Sequence, residues 1–96
     1  MKYRQGDVLI KKVESIQGKK LKHLVLAEGE TTGHKHQITE GDAEMYEHEG
    51  TLFLRVNSAI ATVTHEEHAP IVLPIGDYEI KIKREYSPSG WVSVQD

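Results

Sequence analysis

Ninety-six residues leave room for one small domain, because a second would deprive both halves of a buried core. Apolar residues make up 38% and charged residues 28% of the chain, a composition far from that of a disordered segment. The absence of Cys excludes disulfide frameworks, thiolate zinc sites, iron–sulfur clusters and a Cys nucleophile. The net charge of −3 is unevenly spread: residues 1–23 carry seven Lys/Arg against Asp7 and Glu14, and the acids outweigh the bases in the remainder. A basic end on an acidic body can dock nucleic acid or a neighbouring subunit. The plainer reading is a solvated turn, since Gln17-Gly18-Lys19-Lys20 looks like a hairpin tip. A negative chain also argues against broad, non-specific nucleic-acid binding.

In chain order, the start runs through Met1-Lys2-Tyr3-Arg4-Gln5-Gly6-Asp7 into an apolar run of only Val8, Leu9 and Ile10. That run is too short for a signal peptide or a membrane span, so the expectation is a cytoplasmic protein that makes no use of a membrane. Glycines at 6, 18, 29, 33, 41, 50, 76 and 90 cut the chain into pieces of strand length. Strands are predicted over 7–14, 21–28, 34–39, 42–48, 51–57, 59–65, 70–73, 78–86 and 91–94, with no long apolar stripe of helical period. The expected fold is a single all-β domain over 1–96, a small barrel or sandwich of short antiparallel strands. Alternation places Leu52, Leu54 and Val56 on one face, and Ala59, Ala61, Val63 and His65 on one face of the next strand. It also places Tyr78, Ile80, Ile82, Arg84 and Tyr86 on one face, so that Arg84 and Tyr86 fall on or beside the buried side.

Six His in 96 residues is high, and four of them sit in two short motifs. The first is Gly33-His34-Lys35-His36, followed by Gln37-Ile38-Thr39-Glu40. On a strand, His34, His36 and Glu40 share parity, and two imidazoles about 6–7 Å apart at the backbone can converge on one cation. Imidazole and carboxylate together suit zinc, iron, manganese, nickel or copper. The second motif is His65-Glu66-Glu67-His68. Its histidines are three apart and Pro70 follows, unlike the helical zinc-protease signature. At a strand end, His65 and His68 can still reach one pocket. His23 and His48 read as solvated surface residues. A phosphate loop and a nucleophile elbow are both missing.

The His-x-His-x3-Glu spacing resembles the first motif of the cupin superfamily, with Gly29, His34, His36, Glu40 and Gly50 in the family's order. Pro74-Ile75-Gly76 supplies the Pro-x-Gly of the second motif, and Glu79 stands where that family has its His ligand. The resemblance spans roughly residues 29–80 and implies a small β-barrel holding a metal, with His65 or His68 as replacement for the missing ligand. The stretches Gln5-Gly6-Asp7-Val8-Leu9, Leu26-Ala27-Glu28-Gly29-Glu30 and His65-Glu66-Glu67-His68-Ala69-Pro70-Ile71 also look like those of small uncharacterised bacterial and phage-type proteins.

Three functions from different classes follow as expectations. In the first, His34, His36, Glu40 and His68 or His65 bind a divalent metal (zinc, iron, manganese or nickel) for hydrolytic or oxygen chemistry, with Glu66 or Glu67 orienting a ligand or acting as base. In the second, the same histidines act as acid and base without metal, Arg84 or Lys35 holds an anion, and Tyr86 donates. That set suits a phosphodiester substrate, as in RNA cleavage through the 2′-hydroxyl. An ion pair for Arg84 and core-edge packing for Tyr86 are the plainer roles. In the third, the domain is a non-catalytic homo-oligomeric binding module that extends its core through Met45, Tyr46, Phe53 and Trp91. The plainer role for those four is internal packing.

Overall fold

The computed structural model describes residues 1–28, 33–82, 84–87 and 90–93, with side chains described for 1–28 and 33–82. Its strands are β1 (Lys2–Gln5), β2 (Val8–Val13), β3 (Lys19–Lys20), β4 (Val25–Glu28), β5 (Lys35–Glu40), β6 (Ala43–His48), β7 (Thr51–His65), β8 (His68–Ile82), β9 (Arg84–Ser87) and β10 (Gly90–Ser93). No helix occurs among the described residues, so none there is long and apolar enough to cross a membrane. The fold is all-β, as the glycine punctuation and alternation imply.

Eight strands form one antiparallel sheet that curls into a half-barrel. Its spine is β1-β2-β8-β7. Along the other edge of β7, β6 pairs with the first half and β5 with the second. The sheet then continues from β6 to β3 and from β5 to β4. The β9–β10 pair is a separate two-stranded ladder.

Two pairs of expected strands are fused in the structure. Segments 51–57 and 59–65 are the single strand β7, and 70–73 joins the start of 78–86 in β8. The reason is a bulge in place of a turn: the register between β7 and β8 shifts between Val56 and Ile60, opposite Gly76 and Pro74. Inward positions on β7 are Leu54 and Val56 before the shift, then Ala61 and Val63 after it. On β8 they are Leu73 before it and Tyr78 and Ile80 after it. The predicted faces hold for Leu54 and Val56, for Ala61 and Val63, and for Tyr78 and Ile80, whereas Ala59 is exposed at the bend. Arg84 and Tyr86 of the last face lie outside the described side chains, and the extra residues invert the parity where the ladder bends.

Strand β1 is longer-ranging in consequence than the expected start at residue 7. Gly6, at φ 61°, opens the two-residue connection between Gln5 and Val8. Glycine at the first central position suits a primed hairpin turn, whose twist matches the strands. The core is one cluster built from Val8, Ile10, Leu26, Met45, Leu54, Leu73 and Tyr78 with their neighbours. Tyr78 is fully buried, and its hydroxyl donates to the Pro74 carbonyl at 2.6 Å. Burial holds its phenol above the ordinary value.

Candidate functional site

The sheet order brings the two histidine motifs together. His36 stands at the start of β5 and His34 just before it, and Gln37 of β5 pairs with Thr64 of β7. His65 ends β7 and His68 opens β8, and the two face each other across the Glu66–Glu67 turn. The imidazoles gather as a cluster. Ring centroids are 4.2 Å apart for His36 and His65, 4.8 Å for His65 and His68, 6.1 Å for His36 and His68, and 5.7 Å for His34 and His65. His36 lies nearly parallel to both His65 and His68, at 28° and 17°, whereas His34 meets His65 edge to face at 86°. His36 is buried, and the other three are half-buried.

His34, His36 and His65 are each held by polar neighbours. The Gln5 side chain is buried at the end of β1, with its Oε1 2.8 Å from His36 Nδ1. Its amide nitrogen donates to the carbonyls of Val63 and Ala69 at 3.1 and 2.9 Å. Asp7 Oδ1 is 3.6 Å from His36 Nε2, and Glu67 Oε1 is 3.7 Å from His34 Nδ1. The Glu67 backbone N–H donates to His65 Nδ1 at 3.0 Å. Neither Glu66 nor Glu67 has a positive φ, so this hairpin lacks the primed geometry, and the imidazole bond supports the turn instead. Glu66 accepts the Lys35 backbone N–H at 2.9 Å and so ties the turn to the start of β5. That bond, ahead of other causes, holds the Glu66 carboxyl below its ordinary value.

Of the metal ligands expected from sequence, His34, His36 and His68 come together with His65. Glu40 does not join them. It is exposed at the far end of β5, beyond a register shift between Ile38 and Glu40, and four strand residues from His36 is about 13 Å. Glu79, in the position of the missing cupin ligand, pairs with Lys81 at 3.7 Å. An imidazole ligates through a lone pair in its own plane, and the plane of His36 runs nearly alongside those of His65 and His68, so its lone pair and theirs lie in separate layers and do not meet at one point. Among the described residues no three His, Asp or Glu are arranged to hold a metal ion. The donor set is right in kind for a divalent metal, but its arrangement does not fit one. Arg84 and Tyr86 lie on β9, and their side chains, like that of Trp91, are outside the described residues, as is Gly29 altogether.

The residues that sequence reasoning missed are Gln5 and Asp7. A Gln before a turn carries no periodic signal, and only the packing of β1 against the β7–β8 hairpin makes it a hydrogen-bond partner of His36. The basic 1–23 segment does not collect into one patch. Lys2 and Lys11 face each other on β1–β2. Lys20 lies on β3, several strands away along the ladder, where Glu44 pairs with it at 2.8 Å. Met45 belongs to the core, and Tyr46 and Phe53 are half-buried. His23 is exposed, as expected; His48 is only half-buried, with its Nε2 3.9 Å from Glu49.

A family model described as a domain of unknown function, DUF8820, matches residues 4–83, and the chain belongs to that family. No curated protein and no solved structure gives a significant match. The matched span contains both histidine motifs together with Gln5 and Asp7.

Proposed function

We propose, for this member of a family whose description carries no activity, that the chain is a metal-independent acid–base catalyst centred on His34, His36, His65 and His68. The observation that supports the reading is the convergence of two sequence-distant motifs into one group of imidazoles, with His36 stacked against His65 and His68 and His34 edge-on to His65. Imidazole titrates near neutral pH, so two such rings can divide a reaction between them, one taking a proton and one giving it. Carboxylates from Asp7 and Glu67, at 3.6 and 3.7 Å, provide a counter-charge for the imidazolium that forms during turnover.

The substrate class that needs least beyond this is a phosphodiester cleaved by its own neighbouring hydroxyl. A base removes the hydroxyl proton, the alkoxide attacks phosphorus, and an acid protonates the departing oxygen. The carboxylates at the rim, together with cations divided between separate parts of the sheet, favour a short substrate over a long polyanion.

The test is turnover of a ribodinucleotide and a short RNA in excess chelator from about pH 5 to pH 9. The expected result is a bell-shaped profile, with a loss of roughly 100-fold or more in His36→Ala and in His65→Ala. Turnover that requires an added divalent ion, or one equivalent of zinc, iron, manganese or nickel retained through chelation, would overturn the reading in favour of a metal site. No turnover, with the same variants changing the assembly state, would replace it with an oligomeric binding module.

A further inference from the structure

The cluster does more than gather imidazoles, because its neighbours dictate where the protons sit. Gln5 donates through Nε2 to two backbone carbonyls, Val63 O at 3.1 Å and Ala69 O at 2.9 Å. A carbonyl can only accept, so the orientation of the amide is fixed by chemistry. The amide oxygen must then face His36 Nδ1, at 2.8 Å, and an oxygen without a proton can only accept. His36 Nδ1 therefore carries the hydrogen, and the lone pair of the neutral ring falls on Nε2, the edge toward Asp7.

His65 is constrained in the opposite sense. Its Nδ1 lies 3.0 Å from the Glu67 backbone N–H, a group that can only donate. The lone pair of His65 is consequently on Nδ1, and the proton of the neutral ring is on Nε2. Two rings stacked 4.2 Å apart thus hold opposite tautomers.

We propose that Gln5 is a positioning residue that fixes the tautomer of His36, so that the lone pair of His36 Nε2 is the one that takes the proton when His36 acts as the base. The assignment of roles rests on the acid–base reading above, but the tautomers do not depend on any substrate. Gln5 is buried behind His36 and acts only through it. The same logic explains why a neutral amide occupies this position: it donates to the two carbonyls while accepting from the ring, which neither a carboxylate nor an apolar side chain can do.

The experiment is long-range proton–nitrogen correlation spectroscopy on the full chain, uniformly labelled with nitrogen-15, in chelator at about pH 8, where imidazole is neutral. The expected spectrum shows His36 protonated at Nδ1 and His65 protonated at Nε2. In Gln5→Met, His36 loses its acceptor and moves toward a mixture of tautomers or to the Nε2–H form, while His65 keeps its pattern. In Gln5→Glu an acceptor remains, so His36 keeps Nδ1–H, and its titration midpoint moves to higher pH beside the new carboxylate. A purely structural role for Gln5 would not produce that rescue together with that displacement. The proposal is overturned if His36 in the unaltered chain is protonated at Nε2, a result that needs no variant to fold. It is equally overturned if Gln5→Met leaves the His36 tautomer in place. Opposite tautomers without turnover would sink the catalytic reading and leave the Gln5 assignment standing, and turnover with like tautomers would do the reverse.

Discussion

A double-mutant cycle between Gln5 and His36 tests the energetic side of the cluster. Gln5→Met removes three hydrogen bonds, at 2.8, 2.9 and 3.1 Å, and leaves the His36 Nδ1–H facing a thioether. A buried donor without a partner costs about 1–3 kcal/mol. The two carbonyls lose one donor each, a smaller loss since a carbonyl has a second lone pair, so the expected total is about 2–4 kcal/mol. His36→Phe keeps the ring volume against His65 and His68 and strands the Gln5 amide oxygen, for about 1–3 kcal/mol. In the double variant neither stranded group exists, because Met faces Phe and only the carbonyls remain altered. The double loss is therefore expected to fall short of the sum of the single losses by about 1–2 kcal/mol. Urea unfolding at pH 7.5 reads all four corners, and a domain of this size stands only about 5–15 kcal/mol above its unfolded state. Losses that add to within about 0.5 kcal/mol would refute the claim that Gln5 and His36 form one unit.

Three further outcomes are expected. Gly41 has φ 93°, and a Cβ there would lie 2.5 Å from Ile60 O and 2.7 Å from Ala61 Cα. Since both are backbone atoms of the bent part of β7, Gly41→Ala should cost about 2 kcal/mol or more by thermal melting, and a neutral result would show that β7 can move aside. Glu66, held below its ordinary value chiefly by the Lys35 N–H, stabilises the fold above the unfolded carboxyl value, and that contribution disappears as pH falls through the folded value. Urea midpoints measured from about pH 6 down to pH 3 should therefore drop less steeply in Glu66→Gln, which keeps an acceptor for Lys35 but cannot ionise; parallel curves would refute the assignment. Tyr78→Phe leaves the Pro74 carbonyl without its 2.6 Å donor where the sheet bends, and should cost about 1–2 kcal/mol; an unchanged melting temperature would mean water replaces the hydroxyl.

The sequence by itself determined the class of fold, the inward faces on either side of the bend and the residue types gathered at the candidate site. Strand periodicity is local, so Leu54, Val63 and Ile80 announce their buried faces from their own neighbours. The histidine motifs likewise announce themselves by spacing. Only the tertiary structure decided how these pieces combine. The bulge opposite Gly76 fused β7 and β8 through their bend, because a strand can absorb extra residues that a reading of alternation counts as a break. Pairing of β5 with the end of β7 brought His34 and His36 to His65 and His68, a contact between segments about thirty residues apart that no local pattern encodes. The same register carried Glu40 away from the imidazoles, although parity in an unbroken strand places it on their side. Gln5, fifty-eight residues from Val63 and thirty-one from His36, acquires its role through packing alone. Hydrogen-bond geometry depends on where side chains meet in space, and the sequence specifies that only through the whole fold.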